Sequence, residues 1–222
     1  MSLWIKVCAN TSLADAQFAV DAGADAVGFV FAPSPRRVTP AQVAAITPHL
    51  PASIEKIGVF VDAPIDEIID TVRLCRLTGV QLHSDGGSDL PARMRAEFGP
   101  SLRILRVVHF GPHATEQGST LPSDPNIDAV LVDSRTEKAV GGTGIAFDWK
   151  AARESLFAQA GSTKMIAAGG LKPENVAAAI ATLVPWGVDV ASGVEAAPGR
   201  KDRDKVFAFV ANARAASPKP DS

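Results

Sequence analysis

The stretch Trp4-Ile-Lys-Val-Cys-Ala-Asn10 decides how the chain is interpreted. It is a short apolar run that carries a lysine and a cysteine two residues apart and ends at small residues. Because alternate residues of a β-strand point to the same face, Lys6 and Cys8 are predicted to share one face. A thiol at the C-terminal end of an opening strand indicates chemistry if the fold places that end at an active site.

The rest of the chain repeats a pattern of one strand and one helix. Short apolar runs bounded by turn residues predict seven further strands, over residues 26–31, 57–61, 80–83, 102–108, 129–133, 164–168 and 188–191. Helical patterns follow most of them, near residues 12–22, from 39–40, over 64–77, 88–98, from 148–149, over 173–183 and over 202–215. Strict alternation favours a parallel sheet, and eight units favour a single (β/α)8 TIM barrel with eight parallel strands. An open doubly wound sheet is the alternative, but it commonly has fewer strands.

Length and composition are consistent with one catalytic domain. The 222 residues are 46% hydrophobic, which is enough for one sizeable core. We expect residues 1–216 to form the barrel and residues 217–222 to be a frayed tail. The segment 111–125 is rich in Gly, Pro and Ser and is predicted to be mostly irregular.

Charge and cysteine content exclude several classes of protein. The net charge is -2, the sequence pI is about 6.1, and no run of Lys and Arg stands out, so a nucleic-acid partner is not expected. No apolar stretch is long enough to span a membrane, and no secretory leader is visible. Two cysteines are too few for a disulfide scaffold and fit a reducing compartment. The sequence predicts a cytoplasmic protein whose partners are small molecules.

The distinctive polar residues fall at the C-terminal ends of the predicted strands. Active sites of such barrels lie at this rim, so residues there are candidates for function. The candidate site residues are Cys8, Arg36, Gln81, His83, Asp133, Gly142, Gly144, Gly169, Gly170, Ser192 and Gly193.

Three glycine-containing loops indicate a phosphate site. Gly169-Gly170 and Ser192-Gly193 follow the seventh and eighth strands, where phosphate sites of these barrels are usually found. Loops without bulky side chains let backbone N–H groups approach an anion closely. Simple turns would also explain one Gly-Gly pair. The two loops together with a third at residues 141–144 favour a phosphorylated substrate.

Cys8 and Asp133 are the candidate proton-transfer residues. Asp133 closes a run of four apolar residues, which suits a general acid, although a lone strand-end aspartate is more often a cap or turn residue. A buried cysteine usually behaves as a small hydrophobic residue. Lys6 would lie one layer deeper, where an unpaired ammonium is costly, so we predict an ion pair with Asp189 on the neighbouring eighth strand. Lys6 could also favour the Cys8 thiolate.

Three further side chains could bind substrate. Arg36 follows a Pro-Ser-Pro turn, and its guanidinium suits a carboxylate. Gln81 and His83 alternate toward the lumen on the fourth strand. A core hydrogen bond is as reasonable as a substrate contact for Gln81, whereas His83 is nearer the rim.

Several motifs in this order resemble one enzyme family over nearly the whole chain. They are Lys6-Val-Cys8, Gly23-Ala-Asp-Ala-Val-Gly-Phe29, Ser34-Pro-Arg36, Gly58-Val-Phe60, Val80-Gln-Leu-His83, Leu131-Val-Asp-Ser134, Gly141-Gly-Thr-Gly144 with Phe147-Asp-Trp149, Ala168-Gly-Gly-Leu-Lys-Pro-Glu-Asn175, and Gly187-Val-Asp-Val-Ala-Ser-Gly-Val-Glu195. Each motif is weak alone, but their order and positions are specific. The sequence resembles the phosphoribosylanthranilate isomerases of tryptophan biosynthesis.

The resemblance implies an Amadori rearrangement of N-(5-phosphoribosyl)anthranilate to 1-(2-carboxyphenylamino)-1-deoxyribulose 5-phosphate, with no cofactor or metal. It implies that Asp133 is the general acid that opens the ribose ring and that Cys8 is the general base at the sugar C2'. Arg36 would hold the anthranilate carboxylate, and the glycine loops would hold the phosphate. We expect a monomer or a homodimer.

Two positions depart from the family pattern and keep alternatives open. Ala9 and Ser84 stand where the family usually has glycine. If the φ angle at Ala9 is positive, Cys8 could be displaced; if it is negative, the alanine is almost neutral. One alternative is therefore a catalytically impaired phosphosugar-binding barrel. The other is a phosphosugar isomerase of the histidine-pathway type, whose pattern has aspartate where Cys8 stands.

Overall fold

The computed structural model describes residues 3–83, 89–110, 124–133 and 148–217, and it confirms the predicted barrel. Eight parallel strands form a closed sheet in the order of the chain. The strands are β1 (Trp4–Val7), β2 (Ala26–Val30), β3 (Glu55–Val61), β4 (Gly79–His83), β5 (Arg103–His109), β6 (Ala129–Asp133), β7 (Met165–Ala167) and β8 (Gly187–Val190).

The pairing of β1 with β8 closes the barrel. Lys6 lies opposite Asp189 in this pair, and on its other side Lys6 lies opposite Ala26 of β2. This register sets lumen-facing side chains of the first and last strands beside each other. It therefore fixes the neighbours of Lys6 through backbone pairing alone.

Helices cover the outside of the barrel. They are α1 (Leu13–Asp21), α2 (Pro40–Ile46), α3 (Ile65–Cys75), α4 (Leu90–Phe98), α5 (Trp149–Ser155), α6 (Val176–Leu183) and α7 (Arg203–Ala216). Side-chain caps begin two of these helices: the Ser12 hydroxyl accepts from the Asp15 N–H at 3.1 Å, and Thr39 forms a reciprocal capping box with Gln42 ahead of Pro40. Among the described helices, none is long and apolar enough to cross a membrane.

The interior of the barrel divides into two chemically different regions. The first, which we call the apolar lumen, consists of Trp4, Ala26, Ile57, Leu105, Val107, Ala129, Leu131, Ile166 and Ala168. The second, which we call the polar lumen, consists of Lys6, Cys8, Gln81, Asp133 and Asp189, all of them buried. On β1 and β6 the polar residue follows the apolar one along the strand, so the polar lumen lies toward the C-terminal ends of the strands.

A small hairpin after β8 was not predicted. A 3₁₀ turn at Ser192–Val194 leads into β9 (Glu195–Ala197), which pairs antiparallel with β10 (Arg200–Lys201) before α7 begins. The predicted phosphate loop at Ser192-Gly193 therefore leads into this hairpin before the chain reaches α7.

Several sequence predictions fall outside the described residues. These are Ser84, Gly142, Gly144, most of the 111–125 segment and the tail beyond Ser217.

Candidate active site

Cys8 lies at the C-terminal end of β1, where the sequence predicted it. Its N–H donates to the Val190 carbonyl at 2.7 Å, which extends the β1 and β8 pairing by one bond. Its side chain lies over Gly28 of β2: a methyl group built at Gly28 would lie 2.6 Å from Cys8 Sγ and 3.0 Å from Lys6 Cε. Glycine at position 28 therefore leaves the space that the thiol and the lysine stem occupy.

Ala9 adopts the left-handed conformation, with a φ angle of 64°. An alanine there costs roughly 1–2 kcal/mol relative to the ordinary regions of φ and ψ. Hydrogen bonds on both sides hold the segment in place. The Asn10 N–H donates to the Gly28 carbonyl at 2.9 Å, and the Asn10 side-chain amide donates to the Val7 carbonyl at 2.8 Å and to the Gly28 carbonyl at 3.1 Å. The strain at Ala9 is thus confined between two anchored residues.

The predicted ion pair of Lys6 and Asp189 is confirmed. Lys6 Nζ donates to Asp189 Oδ1 at 2.9 Å, and the lysine side chain has no exposed surface. Lys6 Nζ also donates to Gln81 Oε1 at 2.9 Å, and Gln81 Nε2 lies 2.9 Å from His83 Nε2. Gln81 is therefore a core hydrogen-bond partner of Lys6 and links it to His83.

Burial and neighbouring charges shift the pKa values of Lys6, on β1, and of Cys8, directly after it. Burial raises the pKa of the Cys8 thiol, and the nearby Lys6 ammonium lowers it only in part. Burial thus outweighs the expected preference for the thiolate. Burial lowers the pKa of Lys6, but the Asp189 carboxylate outweighs this, so the net shift of the Lys6 pKa is upward.

Asp133 ends β6 on the lumen side, three strands from β1 around the closed sheet. It is 4% exposed, and its carbonyl accepts from the Phe110 N–H at 2.9 Å. His109 is its register partner on β5, and the His109 ring centroid lies 5.9 Å from that of His83. Cys8 and Asp133 therefore approach the barrel mouth from different sides.

The loops after β7 and β8 contact each other closely. Gly169 and Gly170 have φ angles of 79° and 66°, in the region that favours glycine. A methyl group built at Gly193 would lie 1.9 Å from the Leu171 carbonyl oxygen, so only glycine fits there. The structure thus brings both predicted phosphate loops together at one side of the mouth.

Arg36 is engaged by a partner that the sequence analysis did not identify. Its Nε donates to Glu195 Oε1 at 2.8 Å and its Nη2 to Glu195 Oε2 at 2.7 Å. Lys201 Nζ lies 3.4 Å from Glu195 Oε1. Glu195 closes one of the motifs that carried the family resemblance, and this was the available signal for it.

No metal site is formed by the part of the chain that the structure describes. Within residues 3–83, 89–110, 124–133 and 148–217, no group of three His, Cys, Asp or Glu side chains is placed to hold an ion. Both cysteines, Cys8 and Cys75, are free thiols.

Comparisons with known proteins agree with this geometry. The family model described as PRAI, N-(5'-phosphoribosyl)anthranilate (PRA) isomerase, matches residues 5–212. The N-(5'-phosphoribosyl)anthranilate isomerase of Magnetococcus marinus is 45% identical to this chain over 218 residues, and the match covers 97% of each chain. The isomerase of Geobacter sp. strain M21 is 44% identical, and the match covers 95% of this chain and 97% of the relative.

Solved structures give the same result. The phosphoribosyl anthranilate isomerase of Thermotoga maritima is 34% identical with a TM-score of 0.79, over 96% of this chain and 99% of that one. A phosphoribosyl anthranilate isomerase in complex with reduced 1-(o-carboxyphenylamino)-1-deoxyribulose 5-phosphate is 34% identical with a TM-score of 0.76, over the same shares. Family match, sequence identity and fold agree, and the chain belongs to the N-(5'-phosphoribosyl)anthranilate isomerase family.

Proposed function

We propose that the chain isomerises N-(5'-phosphoribosyl)anthranilate to 1-(2-carboxyphenylamino)-1-deoxyribulose 5-phosphate, with Asp133 as general acid and Cys8 as general base. The observation that carries the proposal is the placement of these two buried groups on different sides of one barrel mouth, at the C-terminal ends of β6 and β1. The reaction needs one proton delivered and another removed at separate atoms of one sugar. Two groups on opposite sides of a bound ribose suit that requirement.

The proton transfers balance without a cofactor. Asp133 gives its proton to the ring oxygen as the C1'–O bond breaks, which leaves an iminium at C1' and a hydroxyl at C4'. Cys8, as the thiolate, takes the proton from C2', and the electron pair forms the enolamine. The enol hydroxyl then loses its proton while C1' gains one, so the product is the ketone isomer of the substrate. Each proton-transfer role typically contributes about 10²- to 10⁴-fold in rate.

The remaining residues are assigned to substrate binding. Arg36 would contact the carboxylate of the anthranilate group, and His83 would line the mouth beside Gln81. The loops at Gly169–Gly170 and Ser192–Gly193 would bind the phosphate through backbone N–H groups. Gly142 and Gly144 belong to the same proposal on the family resemblance alone, since they lie outside the described residues.

A catalytically impaired binding protein is the second candidate, and the positive φ angle at Ala9 favours it. Against it, Cys8 keeps its backbone bond to Val190 and its place over Gly28. The histidine-pathway alternative is not favoured, because the family model and the relatives described above carry the anthranilate isomerase name.

Two further properties are part of the proposal. The free thiols and the biosynthetic family support a cytoplasmic location. A monomer or a homodimer is supported by a relative, since monomers have been generated from the dimeric isomerase of Thermotoga maritima.

Turnover by the purified protein tests the proposal. With N-(5'-phosphoribosyl)anthranilate as substrate, we expect loss of substrate fluorescence in the wild type and a kcat about 10²- to 10⁴-fold lower in Asp133→Asn. Asp133→Asn should still bind the reduced product analogue, because the acid is not needed for binding. Wild-type protein that binds the analogue but gives no turnover would favour the impaired alternative, and a near-normal kcat in Asp133→Asn would refute its role.

A further inference from the structure

The β9 and β10 hairpin contacts the segments that follow β1 and β2 at the barrel mouth. The Gly199 carbonyl accepts from the Thr11 hydroxyl at 2.5 Å, and the Lys201 N–H donates to Asp15 Oδ1 at 3.0 Å, so the hairpin is tied to the segment that follows Cys8. Glu195, at the start of the hairpin, holds Arg36 from the loop after β2. The hairpin thus connects the surroundings of Cys8 to the proposed carboxylate-binding arginine.

Glu195 holds the Arg36 guanidinium by one edge only. The two bonds to the Nε and Nη2 edge fix the plane of the guanidinium, which is the geometry of a bidentate arginine and carboxylate pair. Among the described residues, Arg36 Nη1 makes no hydrogen bond, so the other edge of the guanidinium is available to a second carboxylate. An arginine carries five N–H donors, and this pair uses two of them.

A bound carboxylate beside Glu195 poses a charge problem. Glu195 alone would neutralise Arg36 and would repel a substrate carboxylate that approached the same guanidinium. Lys201 changes that balance, because its Nζ lies 3.4 Å from Glu195 Oε1 and donates to the Ala191 carbonyl at 3.0 Å. The cluster of Arg36, Glu195 and Lys201 then carries two positive charges and one negative charge.

Glu195 and Lys201 are both buried, so the balance of their charges strongly affects the electrostatic field at Arg36. The side chain of Lys201 has no exposed surface, and that of Glu195 is 5% exposed. Burial raises the pKa of Glu195, but Arg36 and Lys201 outweigh it and hold that pKa below its usual range. Burial lowers the pKa of Lys201, and the Glu195 carboxylate offsets part of this. Charges at this depth are weakly screened, so removing one of them changes the local field strongly.

We propose that Lys201 is a specificity-determining residue that balances Glu195 and so leaves Arg36 with a net positive charge for the carboxylate of the substrate. This inference rests on the proposed function, because it takes Arg36 as the residue that binds the carboxylate. Lys201 acts through Arg36 and does not need to contact the substrate. It selects a carboxylated aromatic amine over one without the carboxylate.

Binding of two product analogues tests the proposal. One is reduced 1-(o-carboxyphenylamino)-1-deoxyribulose 5-phosphate, and the other is the same molecule without the carboxylate. Dissociation constants from calorimetry are preferable to turnover, because Lys201 also lowers the pKa of the Cys8 thiol and would affect kcat. In Lys201→Met, we expect the carboxylated analogue to bind about ten- to a hundredfold more weakly and the other analogue to bind as before.

A second variant makes the test specific for charge. In Lys201→Met/Glu195→Gln both opposing charges are absent, and the amide oxygen introduced by the glutamine can still accept from Arg36. We therefore expect the preference for the carboxylated analogue to return to within a few fold of the wild type. Lys205→Met is the control, since Lys205 Nζ donates to the main-chain carbonyl of Glu195 and not to its carboxylate. The control should keep the wild-type preference.

The outcomes separate this inference from the function on which it rests. If Lys201→Met weakens both analogues equally or neither, or if the double variant does not recover, the charge-balance role is overturned. If Arg36→Met keeps the wild-type preference for the carboxylate, the assignment of Arg36 itself fails. Arg36→Met could lose the preference for the carboxylated analogue while Lys201→Met keeps it. That result would reject the role of Lys201 and leave the assignment of Arg36 intact.

Discussion

The apolar lumen and the polar lumen share the same eight strands but differ in what holds them together. Side chains such as Ile57 and Leu105 are fully buried and pack with hydrophobic neighbours. In the polar lumen, Lys6 and Asp189 are also buried but depend on each other for charge compensation. A substitution in the apolar lumen should therefore change stability alone, whereas one in the polar lumen should change stability and chemistry together.

Removal of one partner of the buried Lys6 and Asp189 pair should distinguish the two regions most strongly, because it should lower both the stability and kcat. In Asp189→Asn the Lys6 ammonium loses its countercharge, so we expect the free energy of unfolding to fall by about 3–5 kcal/mol. In Ile57→Ala we expect a loss of about 2–5 kcal/mol from the cavity. The kcat of the folded protein should fall only in Asp189→Asn, because Lys6 lies beside Cys8.

Urea unfolding and kcat measured on the same samples provide the check. Lys6→Met/Asp189→Leu, which removes both charges, should recover most of the stability but not the activity. An unfolding free energy of Asp189→Asn within about 1 kcal/mol of the wild type would contradict the description of the polar lumen.

Two glycines provide a matched pair for the next test. A methyl group at Gly28 would lie 2.6 Å from Cys8 Sγ, whereas one at Gly187 would lie 2.8 Å from the Trp4 carbonyl oxygen. We expect Gly28→Ala to lower kcat by about 10²-fold, because a displacement of about 1 Å at the reacting group is costly. We expect Gly187→Ala to lower stability by about 1–3 kcal/mol and to leave kcat of the folded protein unchanged. Equal effects of the two variants on kcat would show that the regions are not distinct.

The pH dependence of activity reports the burial of Cys8. In the proposed reaction Cys8 acts as the thiolate, and burial raises the pKa of this thiol above its ordinary value. We therefore expect an activity that rises with pH, with a midpoint above the ordinary pKa of a free cysteine. A profile of kcat/KM against pH in the wild type tests this. A rising limb centred well below that value would mean that Lys6 outweighs burial.

Ala9→Gly should produce the smallest change. Glycine relieves the left-handed strain of about 1–2 kcal/mol but loses a buried methyl group and adds freedom to the unfolded chain, so the net stability change should be within about 1 kcal/mol. Because Cys8 and Asn10 are anchored by hydrogen bonds, kcat should stay within about threefold of the wild type. A rise in kcat of about tenfold or more would show that alanine displaces the base.

The barrel and the ion pair of Lys6 with Asp189 could be predicted from the sequence for the same reason. Strand alternation placed Lys6 and Asp189 in the lumen, and barrel closure made their strands neighbours, so the contact followed from local pattern and topology. The same reasoning placed Cys8 and Asp133 at the rim, and their catalytic roles stay predictions.

The contacts of Arg36 could not be predicted in that way. Its partner Glu195 is 159 positions away in a hairpin of short strands, and neither residue belongs to a barrel strand whose register is set by the fold. The sequence also left the sign of the φ angle at Ala9 open, because the hydrogen bonds that hold Cys8 and Asn10 on either side of it join segments that are distant in the chain. Long-range polar contacts and strained turns depend on packing that local pattern does not encode.

The two thiols of the chain differ in position, so substituting each in turn tests whether Cys8 is the general base. Cys75 is buried on α3 with its pKa raised to about 11, and its Sγ donates to the Pro40 carbonyl at 3.3 Å, so it has no part in the barrel mouth. The measurement is kcat of Cys8→Ser and of Cys75→Ser with N-(5'-phosphoribosyl)anthranilate. We expect a loss of about 10²- to 10⁴-fold for Cys8→Ser and a kcat close to that of the wild type for Cys75→Ser. A Cys8→Ser variant with near wild-type kcat would contradict the role of Cys8 as general base.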